Sequence, residues 1–309
     1  MIRARNTLLG ILLGGALFAT AGAAHADGLA LSAGELPAEA KKTLTRDIAA
    51  HKASHPDDFK PVRDVQGVKP EVYKTFRNPQ PIAVLELKRL GAGALLPMLD
   101  ALALDAPALT LTEKEKTAYV VGLLEASSAL RDKRGAPIYT AIFEGKTKNA
   151  DILRAAAEAM GRLCGDAELA SLKKHTAATD ALRPHALRGL SQCRRKESAE
   201  HLATLLASAD AASAPPIADA LGLAASSWAW KAMGKSQAAA AKDVQSIAAK
   251  ALVASFVKHK DARPSAQKAL LLVASPDSTA LLQGARPAAD APTRVAIDTL
   301  VKLLTPAKK

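Results

Sequence analysis

Ile152-Leu153-Arg154-Ala155-Ala156-Ala157-Glu158-Ala159-Met160-Gly161-Arg162-Leu163 overlays on Leu182-Arg183-Pro184-His185-Ala186-Leu187-Arg188-Gly189-Leu190-Ser191-Gln192-Cys193, thirty residues further on. Ile152 falls on Leu182, Ala156 on Ala186, Met160 on Leu190 and Leu163 on Cys193. Each copy leads through a polar break into a second short apolar helix, with Leu172 falling on Leu202. A period near thirty built from two helices marks an α-solenoid, because one unit buries its apolar face only against its neighbours.

Working outward, Ala and Leu dominate an apolar fraction of 49 %, and only 3 % of residues are aromatic. Ala has the highest helix propensity and lets helices approach closely. Almost no segment alternates apolar and polar residues over strand lengths. The expected fold is all-α, an α-α superhelix of about six helix pairs.

Repeats begin near Ile82, with Leu95, Met98, Leu99 and Leu102 spaced for one helix and Ala118, Val121 and Leu124 for the next. Asn149 is placed to cap the helix that follows it, and Pro215-Pro216 to open another. The landmark positions Ile152, Leu182, Ile217 and Ile247 lie 30, 35 and 30 apart. The pairing after Val244 is ambiguous, with one helix between Val244 and Lys260 left unpaired, and a last helix runs from Pro292 to Leu304. Ahead of the array, Leu36, Ala40, Leu44 and Ile48 predict one amphipathic helix, which His55-Pro56 ends. The Pro-rich segment that follows holds Phe59, Tyr73 and Phe76, and its aromatics predict packing as a cap rather than a free linker.

Residues 1–26 have the basic, apolar and small-residue order of a secretory signal peptide: Arg3 and Arg5, then the run from Leu8 to Ala23, then Ala24-His25-Ala26. Residues 27–80 form the N-terminal helix and Pro-rich loop, and residues 81–309 the repeat domain. No later stretch has the length and apolarity of a membrane span, so the cleaved chain is expected to be periplasmic or secreted and not an integral membrane protein. The full chain carries a net charge of +12, which becomes +10 when Arg3 and Arg5 leave with the leader. In that location an excess of cations points to anionic glycans, lipid head groups or acidic proteins rather than nucleic acid.

The stretches Ala156 to Leu172 (AAEAMGRLCGDAELASL) and Ala269 to Leu282 (ALLLVASPDSTALL) resemble the short HEAT-like repeats of bacterial proteins. The resemblance covers roughly Pro81 to Leu304. It implies an α-solenoid used as a scaffold or recognition surface; some relatives attach bilin chromophores. A tetratricopeptide array is the alternative, but its period of 34 and its Trp, Gly and Tyr landmarks are not present as a set.

Catalytic signatures are weak. Gly145-Lys146-Thr147 lacks the glycine five positions earlier that a phosphate-binding loop requires. Ser255 with Lys258 fits Ser-x-x-Lys, but so do Ser171 with Lys174 and Ser265 with Lys268, and no companion motif accompanies them. His51 and His55 lie four apart with Asp57 and Asp58 beyond, a spacing that can hold a metal, although Pro56 disturbs it. No catalytic, cofactor or metal residue is assigned.

Candidate binding residues are Lys173, Lys174, His185, Arg188, Gln192 and Arg195, which form a basic strip if stacked units align. Trp228 and Trp230 join them: two positions apart on a helix is about 200°, so one is buried and the other exposed. Cys164 and Cys193 are the only cysteines, fall at equivalent helix ends and are expected to form a disulfide. The first expectation is a non-catalytic exported scaffold that binds another protein through its helical surface. The alternatives are recognition of an anionic envelope polymer or lipid by the basic strip, and a metal-dependent or bilin-handling enzyme.

Overall fold

A computed structural model describes residues 27–32, 34–65, 73–74, 80–107 and 110–305. The expected leader at residues 1–26 and Phe76 of the Pro-rich loop lie outside the described residues. In chain order the helices are α1 (Ala38–Ser54), α2 (Phe59–Asp64), α3 (Ile82–Arg89), α4 (Leu95–Ala103), α5 (Glu113–Ala129), α6 (Ala136–Glu144), α7 (Ala150–Leu163) and α8 (Asp166–Lys174). They continue as α9 (Arg183–Gln192), α10 (Lys196–Ser208), α11 (Ala214–Ala224), α12 (Ser227–Lys231), α13 (Ala238–Lys258), α14 (Arg263–Val273), α15 (Asp277–Ala285) and α16 (Ala291–Leu304). A two-residue antiparallel ladder, Tyr73–Lys74 against Gln80–Pro81, is the sole strand pairing among the described residues.

These helices form two layers. In one, α3, α5, α7, α9, α11, α14 and α16 each pack on the next. In the other, α1 lies on α4, α4 on α6 and α6 on α8, and further along α10 lies on α13 and α13 on α15. Six helix pairs result, α3/α4, α5/α6, α7/α8, α9/α10, α11/α13 and α14/α15, with α16 as the terminal helix. The molecule is an all-α solenoid.

The sequence makes this stack by local devices that recur. Pro opens α6, α9, α11, α14 and α16, where the first turn needs no N–H partner. Thr112 and Glu115 form a capping box at α5, and the Asn149 side chain accepts from the amides of Asp151 and Ile152 as its position predicts. Arg183 and Arg263, each followed by Pro, reach back seven residues to the carbonyls of Thr176 and Phe256, both at 3.1 Å. Both guanidinium groups thereby close the end of the preceding helix.

Small residues set the spacing of the first layer. A Cβ placed on Gly161 of α7 would collide with the Gly189 carbonyl oxygen and lie 2.8 Å from its carbon. One on Gly189 would meet the Ala157 carbonyl oxygen at 2.7 Å. The α7 and α9 backbones therefore touch across glycine. At their ends Cys164 and Cys193 are joined as a disulfide, with Cα atoms 5.4 Å apart, inside the range such a bond needs.

At the front, residues 29–31 run along the end of α4, where Leu29 and Ala30 donate to the Ala101 and Leu102 carbonyls at 2.9 and 3.0 Å. Phe59 and Val62 of α2 are buried, and the Tyr119 hydroxyl of α5 donates to the Val62 carbonyl at 2.6 Å. The polar tip of a buried Tyr is thus satisfied while its ring fills the core. Leu44 and Ile48 bury the expected face of α1, and Leu36 is buried just ahead of its start.

One expectation of register needs correction. Ile217 is the counterpart of Ala186, 31 residues earlier, since Leu190 and Leu221 then coincide in the core and Pro184 and Pro215 at the helix start. Ile247 does not continue this series, because it belongs to α13 in the other layer. The next equivalent is Ala266 of α14, 49 residues after Ile217. The interval is lengthened by α12 and by a 21-residue α13 whose first three residues, Ala238 to Ala240, are exposed. That long helix is the one left unpaired in the sequence; it pairs with α11.

Candidate anion-binding face

Superposing the repeat positions puts Glu158 of α7, Arg188 of α9, Asp219 of α11 and Lys268 of α14 at one place on successive helices. Their charges alternate. Arg188 meets Glu158 through Nη2 at 3.0 Å and Nε at 3.2 Å, and Lys268 meets Asp219 at 3.7 Å. The ladder extends toward the front. Glu125 of α5 lies 3.7 Å from Arg154 and 3.9 Å from Lys88 of α3.

The balance is uneven around α7. Glu158, whose side chain is 6 % exposed, is approached by three guanidinium groups: Arg188, Arg154 at 3.4 Å and Arg162 at 3.6 Å. Arg154, Glu158 and Arg162 sit at i, i+4 and i+8 of one helix, so they share a face. From Lys88 to Arg188 four cations surround two carboxylates. Both carboxylates are buried, whereas the Arg188 side chain remains 49 % exposed. Burial pushes the Lys88 amine below its ordinary range, with Arg162 adding repulsion and Glu125 opposing the shift. Burial and the Arg154 charge likewise lower the His185 imidazole. A fixed anion arriving here relieves cation–cation repulsion while leaving Glu125 and Glu158 paired.

The basic strip read from sequence is divided by the fold. His185 and Arg188 belong to this face. Gln192 closes α9, its Cβ lying 3.0 Å from where a Gly161 side chain would stand. Arg195 lies instead at the turn into α10, where Asp166 at 2.6 Å and Glu197 at 3.1 Å neutralise it and the Cys164 carbonyl accepts from it at 3.3 Å. Lys173 and Lys174 are at the far end of α8, about 12 Å along the axis from Asp166 at 1.5 Å per residue. Lys174 is 3.9 Å from Glu144. The residues missed were Lys88, Glu125, Arg154, Glu158 and Arg162; the signal available was the i, i+4, i+8 run on α7.

Trp230 is buried and donates from Nε1 to the Ala224 carbonyl at 2.9 Å, while Trp228 is 78 % exposed. Arg194 shares that carbonyl at 3.4 Å and also donates to Ser191 O at 2.6 Å; burial pushes its guanidinium down to about 10. It ties the ends of α9 and α11. His51 Nε2 is taken by Asp58 at 2.9 Å and its ring stacks on His55. Among the described residues no group of three or more His, Cys, Asp and Glu side chains is placed to hold a metal ion.

No protein-family profile matches the chain, and no curated protein sequence matches it. Among the solved structures, human deoxyhypusine hydroxylase in complex with glycerol matches at 15 % identity and a TM-score of 0.28, over 80 % of this chain and 96 % of that one. That protein is an enzyme, so the exclusion of catalysis and the non-catalytic protein scaffold expected from the sequence are not retained. A likeness this distant carries no argument about chemistry in this chain.

Proposed function

We propose that this chain is an exported, HEAT-like repeat receptor for an anionic polymer, held along the ladder from α3 to α9. The observation that carries the reading is the grouping of Arg154, Arg162 and Arg188 on the single carboxylate Glu158. Contacts of 3.0–3.9 Å through Glu125, Arg154 and Glu158 link the Lys88 amine on α3 to the Arg188 guanidinium on α9, so the cationic row spans at most about 18 Å. Cations spread over that length suit a chain with repeated anionic groups better than one small anion. A disulfide between Cys164 and Cys193 fits an oxidising compartment. Among the described residues no helix is long and apolar enough to cross a membrane.

Calorimetric titration with inorganic polyphosphate and with polygalacturonate tests the reading and separates phosphate from carboxylate preference. Lys88→Gln with Arg188→Gln should weaken binding about tenfold or more, since two charge-assisted contacts are lost and 1.4 kcal/mol is a factor of ten. Lys173→Gln with Lys174→Gln should change it little. Equal losses from both pairs would reduce the effect to net charge and contradict a site on this face.

A further inference from the structure

The chain's remaining surface is uneven in a second way. Among the described residues the exposed large apolar side chains are Trp228, Leu271, Val295 and Leu303, all in the last third of the chain. The helices that carry two of them are brought together by the fold. Ser227 Oγ donates to the Leu272 carbonyl at 3.3 Å, which seats the start of α12 against the last turn of α14. Trp228 and Leu271 are the immediate chain neighbours of those bonded residues. Leu271 also lines a hollow of about 510 Å³ along α14, with Lys260, Arg263, Pro264, Gln267, Lys268 and Leu272.

Charge follows the same partition. Residues 227–304 carry eleven Lys and Arg against five Asp and no Glu. The two lysines at the hollow are held only by surface carboxylates, Lys260 by Asp290 at 2.6 Å and Lys268 by Asp219 at 3.7 Å. Exposed pairs of this kind are weak and yield to a competing anion. An exposed Trp with aliphatic neighbours and surrounding cations is the combination that seats a protein at an anionic bilayer surface. The indole enters the interfacial zone and the cations meet head groups.

We propose that the α12–α14 surface docks peripherally on an anionic lipid bilayer, with Trp228 and Leu271 inserted at the head-group level and Lys260 and Lys268 against lipid phosphates. This surface shares the Lys268 rung of the charge row but none of the cations proposed to hold the polymer between α3 and α9, so either proposal can fail without the other.

The test is sedimentation of the full chain with sucrose-loaded vesicles of phosphatidylglycerol and phosphatidylcholine, against vesicles of phosphatidylcholine alone, at low salt. Binding is expected to the anionic vesicles only and to fall as salt is raised. Trp emission reports the same event: Trp230 is already buried, so a shift to shorter wavelength on binding must come from Trp228. Trp228→Ala with Leu271→Ser should lower vesicle affinity about tenfold or more and abolish the shift. Both side chains are exposed, so the thermal midpoint should stay unchanged. Lys88→Gln with Arg188→Gln should leave vesicle binding intact. Failure to sediment with anionic vesicles, equal binding to neutral ones, or an unaffected Trp228→Ala/Leu271→Ser variant overturns the proposal.

Discussion

Replacing Gly161 by Ala probes the packing on which the ladder depends. In an isolated helix the change is favourable by about 0.8–1.0 kcal/mol, because Gly loses more backbone entropy on folding. Here the new methyl meets the Gly189 carbonyl group, a backbone obstacle with no rotamer to escape into. The α7 and α9 helices must separate, though Cys164–Cys193 fixes their ends. Overpacking of this kind costs about 1–3 kcal/mol, occasionally more, and a backbone clash belongs at the upper end. The net loss should be about 2 kcal/mol, a fall of roughly 4–8 °C at 2–4 °C per kcal/mol for a chain of this size. Gly284→Ala is the matched control. It makes the same chemical change in α15, where an added Cβ has no neighbour within 4 Å, and should raise the midpoint through the propensity gain. Calorimetry or circular dichroism melts of both variants give the comparison. Equal stabilisation by the two substitutions would refute the close approach of α7 and α9. Weaker polymer binding by Gly161→Ala at a temperature where it stays folded would tie that approach to the ladder.

Loss of the disulfide in Cys164→Ser/Cys193→Ser should cost about 3–4 kcal/mol for a separation of 29 residues; unchanged melts with and without reductant would contradict this. Glu158→Gln should destabilise by about 2–4 kcal/mol, below or within the range for a broken buried pair because Arg154 and Arg188 reach water. The same variant should bind polyphosphate more tightly than the parent, since it enlarges the cation surplus, and weaker binding would count against the site. His185 and His201 are held below the ordinary imidazole value of 6.5, both chiefly by burial. The unfolded chain therefore takes up these protons first, and stability falls as pH drops through and below 6.5. His185→Gln/His201→Gln should flatten the melting temperature between about pH 5 and pH 7, and an unaltered slope would reject the assignment.

The repeat was legible where sequence periodicity and layer membership coincide. In α7 and α9 an Ala- and Gly-rich face recurs at thirty residues because the two backbones meet there. After Ile217 the same counting led to Ile247, whose apolar stripe is as regular but faces from the opposite layer. Periodicity detects an amphipathic helix without saying which layer it joins, and the inserted α12 moved the next equivalent to Ala266.

Charge was harder to read. Arg183, Arg188, Arg194 and Arg195 look like one basic run, yet each has a different use in three dimensions. Arg183 closes α8, Arg188 meets Glu158, Arg194 ties two helix ends, and Arg195 is neutralised by Asp166, 29 residues earlier. Partners about one repeat away are visible only when the stack is assembled. The run Arg154, Glu158, Arg162 was visible within one helix, but its surplus emerges only when Arg188 arrives from the next.

Arginine footprinting tests the central claim most directly. The chain is treated with phenylglyoxal in the absence and presence of inorganic polyphosphate, and modification is read peptide by peptide by mass spectrometry. Protection is expected at Arg154, Arg162 and Arg188, while Arg195, held by Asp166 and Glu197, and Arg286, held by Asp298, should be unchanged. Uniform protection of exposed arginines, or protection that spares Arg188, would contradict an anion site on this face.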